Sequence, residues 1–237
     1  MFGIGKWPAP PQPCSADISD SAAQAAGQRP AVPVIRCNVA DGACERWMLW
    51  IDGVGAWLLC CGTSIDIGGP SQADDAADLR LMGPLSRRHA TFQYLDDAWF
   101  LNPHQPCCVG KTRLSAPRCL YHNDQIILGE KVQLRFQRPS VLSASAVLQL
   151  ESFHQPAQSV QGILLVVDSI LLGSRADHHV HCADWPERLI LFRRDGRFYC
   201  RSEMSLQLNQ QPLTSEQELG DGAIVSGTDL CFRLQKL

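Results

Sequence analysis

The stretch Leu85-Ser86-Arg87-Arg88-His89-Ala90-Thr91-Phe92 puts a hydroxyl, two guanidinium groups and an imidazole in four consecutive positions. A serine beside a histidine suggests nucleophilic catalysis. Two residues three apart in one loop, however, do not normally meet with the third, orienting group that such chemistry needs. His178-His179-Val180-His181-Cys182 is the histidine cluster, and on a strand His179 and His181 would share a face as metal ligands do. A metal site would need a third ligand set in place by folding, so a solvated edge strand is the reading it supports. Eleven cysteines include two vicinal doublets, Cys60-Cys61 and Cys107-Cys108, but no paired C-x-x-C at zinc spacing. Several, such as Cys60, Cys200 and Cys231, stand in apolar runs, where a reduced thiol acts as a small hydrophobe. Cys37 and Cys44 flank Asp41-Gly42, more simply a hairpin turn than half of a metal site. The chain has no complete G-x-x-x-x-G-K-S/T phosphate loop, no G-x-G-x-x-G before a helix and no H-E-x-x-H. Catalytic residues, metals and cofactors are therefore not expected.

The elements that must position these residues read as strands. Residues 86–88 are polar and basic, and from His89 onward apolar and polar residues alternate, which predicts a loop entering a half-buried strand. Ile65-Asp66-Ile67-Gly68-Gly69 is a short strand ending in glycines, and Asn123-Asp124 starts another that runs to Gly129. Trp47–Ile51 and Ala56–Cys61 flank Asp52-Gly53, the strongest short-range hairpin signal. No amphipathic helix interrupts this rhythm, and the fold class expected is all-β.

With 45% hydrophobic and 19% charged residues over 237 positions, the chain can bury a substantial core. A net charge of −3 argues against nucleic acid as a partner. The most apolar window, Trp47 to Cys61, is too short to span a bilayer and contains Asp52, so no membrane partner and a cytoplasmic location are expected. Residues 1–33 read as a flexible Pro/Ala/Ser-rich leader, with Pro-x-x-Pro spacing at Pro10 and Pro13. The polar stretch 151–162, carrying Pro156, is the expected linker between domains at 34–150 and 163–237.

The second part repeats the first. Ile170-Leu171-Leu172-Gly173 answers Ile65-Asp66-Ile67-Gly68, and a shift of 99 aligns His89-Ala90-Thr91-Phe92 with Arg188-Leu189-Ile190-Leu191. The same shift aligns Asp96 with Asp195, Trp99 with Phe198, Gly110 with Asn209 and Leu120 with Leu219. One residue is then lost, so Gly129 meets Gly227. Because a one-residue slip would turn every side chain to the wrong face, this agreement predicts two tandem β-sandwiches.

Ile-Gly, then Ser-Arg-Arg-His-Ala, then Asn-Asp-x-Ile-x-Leu-Gly and an apolar strand to Phe136 resembles a forkhead-associated (FHA) domain, of the bacterial stand-alone type. The resemblance implies two FHA-like sandwiches whose loops read phosphothreonine peptides, supplied by an upstream Ser/Thr kinase. It implies phosphopeptide contacts from Ser86, Arg87 and Arg88, with Lys111 and Arg113 adding charge and His89 bracing the loops beside Gly68. Arginine forks and hydroxyls suit a phosphate dianion because they offer charge-assisted hydrogen bonds. The family's arginine is replaced by Gly69, and its asparagine by Gly110. In the second repeat Ser174 takes the arginine's place, with Arg175 one position late, and Trp185-Pro186-Glu187-Arg188 replaces Ser-x-x-His. Asn209 survives there as a structural loop residue, followed by Gln210 rather than glycine, and this repeat is not expected to bind phosphothreonine. The expected function is a protein-protein interaction module with a phosphothreonine-containing partner. The alternative is a phosphate-independent scaffold with other protein partners.

Overall fold

In the computed structural model, residues 44–71, 77–214 and 217–237 are described; the leader and the Asp41-Gly42 turn lie outside them. The all-β expectation holds, with strands and turns throughout the described residues and, among them, no helix long and apolar enough to cross a membrane. The first half contributes β1 (Glu45–Ile51), β2 (Gly55–Cys61), β3 (Ser64–Gly68), β4 (Leu79–Arg80), β5 (Ala90–Leu95) and β6 (Ala98–Pro103). It continues through β7 (Cys107–Val109), β8 (Thr112–Arg113), β9 (Arg118–Cys119), β10 (Asp124–Leu128) and β11 (Val132–Gln137). The second half contributes β12 (Ala146–Leu150), β13 (Gly162–Val166), β14 (Ser169–Gly173), β15 (Val180–His181) and β16 (Leu189–Arg194). It ends with β17 (Arg197–Ser202), β18 (Gln207–Leu208), β19 (Gln211–Pro212), β20 (Ile224–Ser226) and β21 (Cys231–Lys236).

These strands form three layers. A twelve-stranded sheet in the order β19-β18-β20-β21-β1-β2-β13-β12-β11-β10-β7-β8 has one core on each face. The five-stranded sheet β4-β3-β5-β6-β9 shares its core with one face, and the four-stranded sheet β15-β14-β16-β17 with the other. Period-two geometry divides β1 and β2 between the cores. Trp47, Leu49, Ile51, Trp57, Leu59 and Cys61 enter the core of the second half, while Met48, Ala56, Leu58 and Cys60 enter that of the first. A strand buried on both faces has no polar side to show, which explains the continuous apolar run from Ala56 to Cys61.

The order of pairings occurs twice. Leu81 N–H donates to Gly68 C=O and Cys182 N–H to Gly173 C=O, both at 2.9 Å. Gly110 N–H reaches Gln125 C=O at 2.8 Å, and 99 residues later Asn209 N–H reaches Ile224 C=O at 2.9 Å. The β5–β6 and β16–β17 turns both use left-handed residues, Asp96 and Asp97 in one and Asp195 and Gly196 in the other, the mirror-type geometry that fits strand twist. The correspondence extends upstream of Ile65: Asp52 N–H donates to Cys231 C=O at 2.9 Å, as Glu151 N–H does to Gln133 C=O at 3.0 Å. Thus β1 corresponds to β12. The two change places, because β11 pairs with β12 and β21 with β1, while β2 and β13 run parallel between them. Each half's last strand is therefore paired by the other half's first. Residues 151–161 join β12 to β13, neighbours in this sheet, where only 52–54 join β1 to β2.

Candidate functional site

The Ser86 loop is held from beneath and from the side. β3 delivers Gly68 and Gly69 under it, and Gly69 N–H donates to Ser86 C=O at 2.8 Å. A Cβ on Gly68 would fall 1.8 Å from the Arg87 carbonyl oxygen, and one on Gly69 2.3 Å from that of Leu85. Close backbone approach, rather than an unusual torsion, is what requires both glycines. It also explains in physical terms why no arginine stands at position 69: the loop lies where its side chain would begin.

His89 is the lateral brace. It is buried; its Nδ1 accepts the Ser86 N–H at 3.4 Å and its Nε2 meets the Pro106 carbonyl at 3.1 Å, which assigns the ring proton to Nε2. Its own carbonyl accepts the N–H groups of His104 and Gln105, both at 3.0 Å. One residue thus fixes the Ser86 turn to the 104–106 loop, while Ser86, Arg87 and Arg88 remain exposed at the tip.

Arg88 turns along the outer face of the sheet to Asp66 at 2.5 Å, and Asp66 also accepts the Thr91 hydroxyl at 2.6 Å. Thr91 Oγ1 lies 2.7 Å from His104 Nε2, so Arg88 belongs to a polar ladder from β3 through β5 to the loop after β6. Asp78, whose carboxylate accepts the Asp66 N–H, is held above the ordinary aspartate range by burial, with repulsion from Asp66 adding to it. Lys111 and Arg113 occupy the β7–β8 hairpin, whose Gly110-Lys111 turn follows the end of β7 opposite to Pro106. The structure therefore groups Ser86 and Arg87 with the His89 brace, and places Lys111 and Arg113 at the far end of a neighbouring strand.

The second half arranges the corresponding region differently. Arg175 forms a two-pronged pair with Asp177 at 2.9 and 3.2 Å, which raises the guanidinium's pKa and lowers the carboxyl's. Its N–H donates to His178 Nδ1 at 3.4 Å, the same local contact that Ser86 makes with His89. Trp185, standing where Ser86 does by the shift of 99, is buried. A cavity of about 450 Å³ lies here, lined by Ser174, Arg175, His178, Arg188, Arg201 and Glu203 among others. Sequence reasoning did not single out Arg201; the shift of 99 aligns it with Asn102 and would have drawn attention to it. Asn209 sits at a left-handed turn position, φ 49°, and its Oδ1 accepts the Ile224 N–H at 3.0 Å, tying the β18–β19 turn to β20.

The histidine cluster is a solvated edge strand only at His181, on β15 at the edge of its sheet. β15 begins only at Val180, so His179 and His181 do not share a strand face: His178 and His179 are buried and His181 is exposed. His179 Nδ1 accepts the Leu171 N–H at 3.1 Å and Nε2 meets the Ser145 carbonyl at 3.3 Å. Burial pushes its pKa down to about 4. Among the described residues no group of three His, Cys, Asp or Glu is placed to hold a metal ion. The described cysteines are all free thiols, and burial pushes Cys61, Cys182 and Cys200 up to about 12 and Cys107 to about 11. Such thiols remain protonated at neutral pH, when a nucleophile must be a thiolate.

No curated protein matches the chain. Among solved structures, "Rv0020c_FHA Structure" is 22% identical, covering 38% of this chain and 91% of that one at a TM-score of 0.26. The "N-terminal FHA domain from EssC a component of the bacterial Type VII secretion apparatus" is 11% identical, covering 80% of this chain and 92% of that one at a TM-score of 0.24. The segment 71–129, which contains Ser86, Arg87 and the His89 brace, matches the family model of the FHA domain.

Proposed function

We propose that the first half is a phosphothreonine-peptide reader in which Ser86 and Arg87 grip the phosphate. The observation that carries this reading is the pair of exposed donors on a loop fixed by His89 on one side and by Gly68-Gly69 beneath. Donors held before the ligand arrives lose less freedom on binding, so two of them are used efficiently. The FHA match over 71–129 supports the same assignment. Arg88, engaged with Asp66, supports the loop rather than the ligand. Lys111 and Arg113 supply charge at a distance and steer an anionic peptide without touching the phosphate. The two halves form a pair of FHA-like sandwiches of which the second has lost this grip, since Trp185-Pro186-Glu187-Arg188 replaces the Ser-x-x-His loop. In this reading the protein is an interaction module and not an enzyme, acting in the cytoplasm on targets of a Ser/Thr kinase.

A phosphate-independent scaffold is the second reading, favoured by Gly69, where no arginine can be seated. Fluorescence anisotropy of the full chain separates the two, using a degenerate phosphothreonine library and its unphosphorylated counterpart. The reader binds only the former and loses about tenfold or more in Ser86→Ala and Arg87→Ala, the scale of a charge-assisted contact. Equal binding of both libraries would leave the scaffold.

A further inference from the structure

The twofold repetition of pairings exposes one place where the halves differ in content. In the first half, the long connection between β12 and β13 folds back into the space between the β4–β5 loop and the β10–β11 turn. Met82 N–H donates to Gln155 C=O at 2.7 Å, and Gln133 N–H to Ser152 Oγ at 3.1 Å. The buried imidazole of His154 fills the middle, 2.9 Å from where a Cβ on Gly83 would sit, and Val132 borders the same point. In the second half the corresponding connection is only the three-residue turn 52–54. A cavity of about 710 Å³ remains there, bordered by Asp52, Val54, Asp184, Trp185, Asp229 and Leu230 among others. That volume lies in the range of ligand-binding clefts.

Residue by residue, the empty counterpart asks for a different occupant. The offset that relates Leu81 to Cys182 carries Met82 to Ala183 and Gly83 to Asp184, and the one that relates Gln133 to Cys231 carries Val132 to Leu230. Ala183 is exposed, and its N–H, unlike that of Met82, makes no hydrogen bond to the described residues. A side chain seated where His154 sits would face the Asp184 carboxylate and Leu230 instead of Gly83 and Val132. Asp52 and Asp229 add negative charge, and of the basic side chains only His181 lines the cavity, against three carboxylates. We propose that this cleft docks an extended segment of a partner protein, which hydrogen-bonds to Ala183 N–H and inserts a basic side chain between Asp184 and Leu230. It would do for the second half what residues 152–155 do within the first. The site is separate from the Ser86 loop and needs no phosphate.

The probes follow from the segment that fills the first half. Fluorescein-labelled nine-residue peptides with the sequence of 151–159 are titrated into the full chain, in the native form and as His154→Arg and His154→Glu. The His154→Arg peptide is expected to bind at least about tenfold tighter than the His154→Glu peptide, because opposite charge sets the choice of partner. Asp184→Lys, at an exposed position where the fold is unaffected, should weaken the His154→Arg peptide by at least about tenfold, with an unchanged urea midpoint. Ser86→Ala should leave that peptide's binding intact. Equal binding of the Arg and Glu peptides, no binding at about 1 mM, or indifference to Asp184→Lys would each overturn the proposal. Sedimentation of the unliganded chain tests the other occupant: a dimer abolished by Asp184→Lys would put a second copy in the cleft and overturn the partner assignment.

Discussion

Acidification should weaken the fold through one residue, His179. Its imidazole is buried between the Leu171 N–H and the Ser145 carbonyl, so it links β14 to the segment leading into β12. Burial lowers its pKa from the ordinary value of 6.5 to about 4. Between those values the unfolded chain binds the proton and the folded one does not. Stability therefore rises with pH across this window and is lost as pH falls from about 6.5 towards 4. Each pKa unit corresponds to about 1.4 kcal/mol, so the full loss is about 3 kcal/mol, a sizeable fraction of a typical domain's stability. Urea unfolding of the wild type and of His179→Asn from pH 7.5 to 4 isolates the contribution, since Asn keeps an acceptor for Leu171 but does not titrate. The wild-type curve should fall more steeply, and the difference between the two should shrink by roughly 3 kcal/mol over the window. Parallel curves within about 0.5 kcal/mol would refute the assignment of His179 as a buried neutral imidazole.

Other perturbations follow from the same geometry. Gly69→Arg, which introduces the arginine that the FHA resemblance would place there, should destabilise by about 1–3 kcal/mol in urea unfolding and should not tighten phosphopeptide binding, because its Cβ meets the Leu85 carbonyl. Asn209→Ala should lose about 1–2 kcal/mol through the Ile224 contact and the left-handed turn, with no change in peptide affinity by anisotropy. A fragment of residues 44–150 should fail to give a dispersed amide NMR spectrum. It strands Trp47, Leu49, Ile51, Trp57 and Leu59 without their core, a loss on the order of 10 kcal/mol at roughly 2 kcal/mol for each large apolar side chain.

Much of this was legible in local pattern. The Asp52-Gly53 turn, alternation after His89 and the glycine pair before the Ser86 loop all report short-range geometry, which sequence encodes directly. The repeat was legible where its spacing is constant, from His89 to Leu120. Upstream of Ile65 it was not, because the β12–β13 connection is longer than the β1–β2 turn and breaks the register. Strand exchange left no sequence signal, since β1 would present the same apolar residues to either partner. Histidine burial was hidden for a related reason: whether His179 faces solvent depends on Ser145, 34 residues earlier. The placement of Arg88 against Asp66, rather than beside Arg87, likewise depends on a neighbouring strand. The absence of an arginine at position 69 was visible, while its cause, the Leu85 carbonyl, is a tertiary contact.

The most direct measurement is a titration of ¹⁵N-labelled full chain with a phosphothreonine peptide selected from the degenerate library, and with its unphosphorylated twin. The account predicts phosphate-dependent amide shifts centred on Ser86 and Arg87 and spreading through His89 to Gln105, with the second half unmoved. Shifts that center on Ser174 to Arg188, or that appear equally with the unphosphorylated peptide, would contradict it.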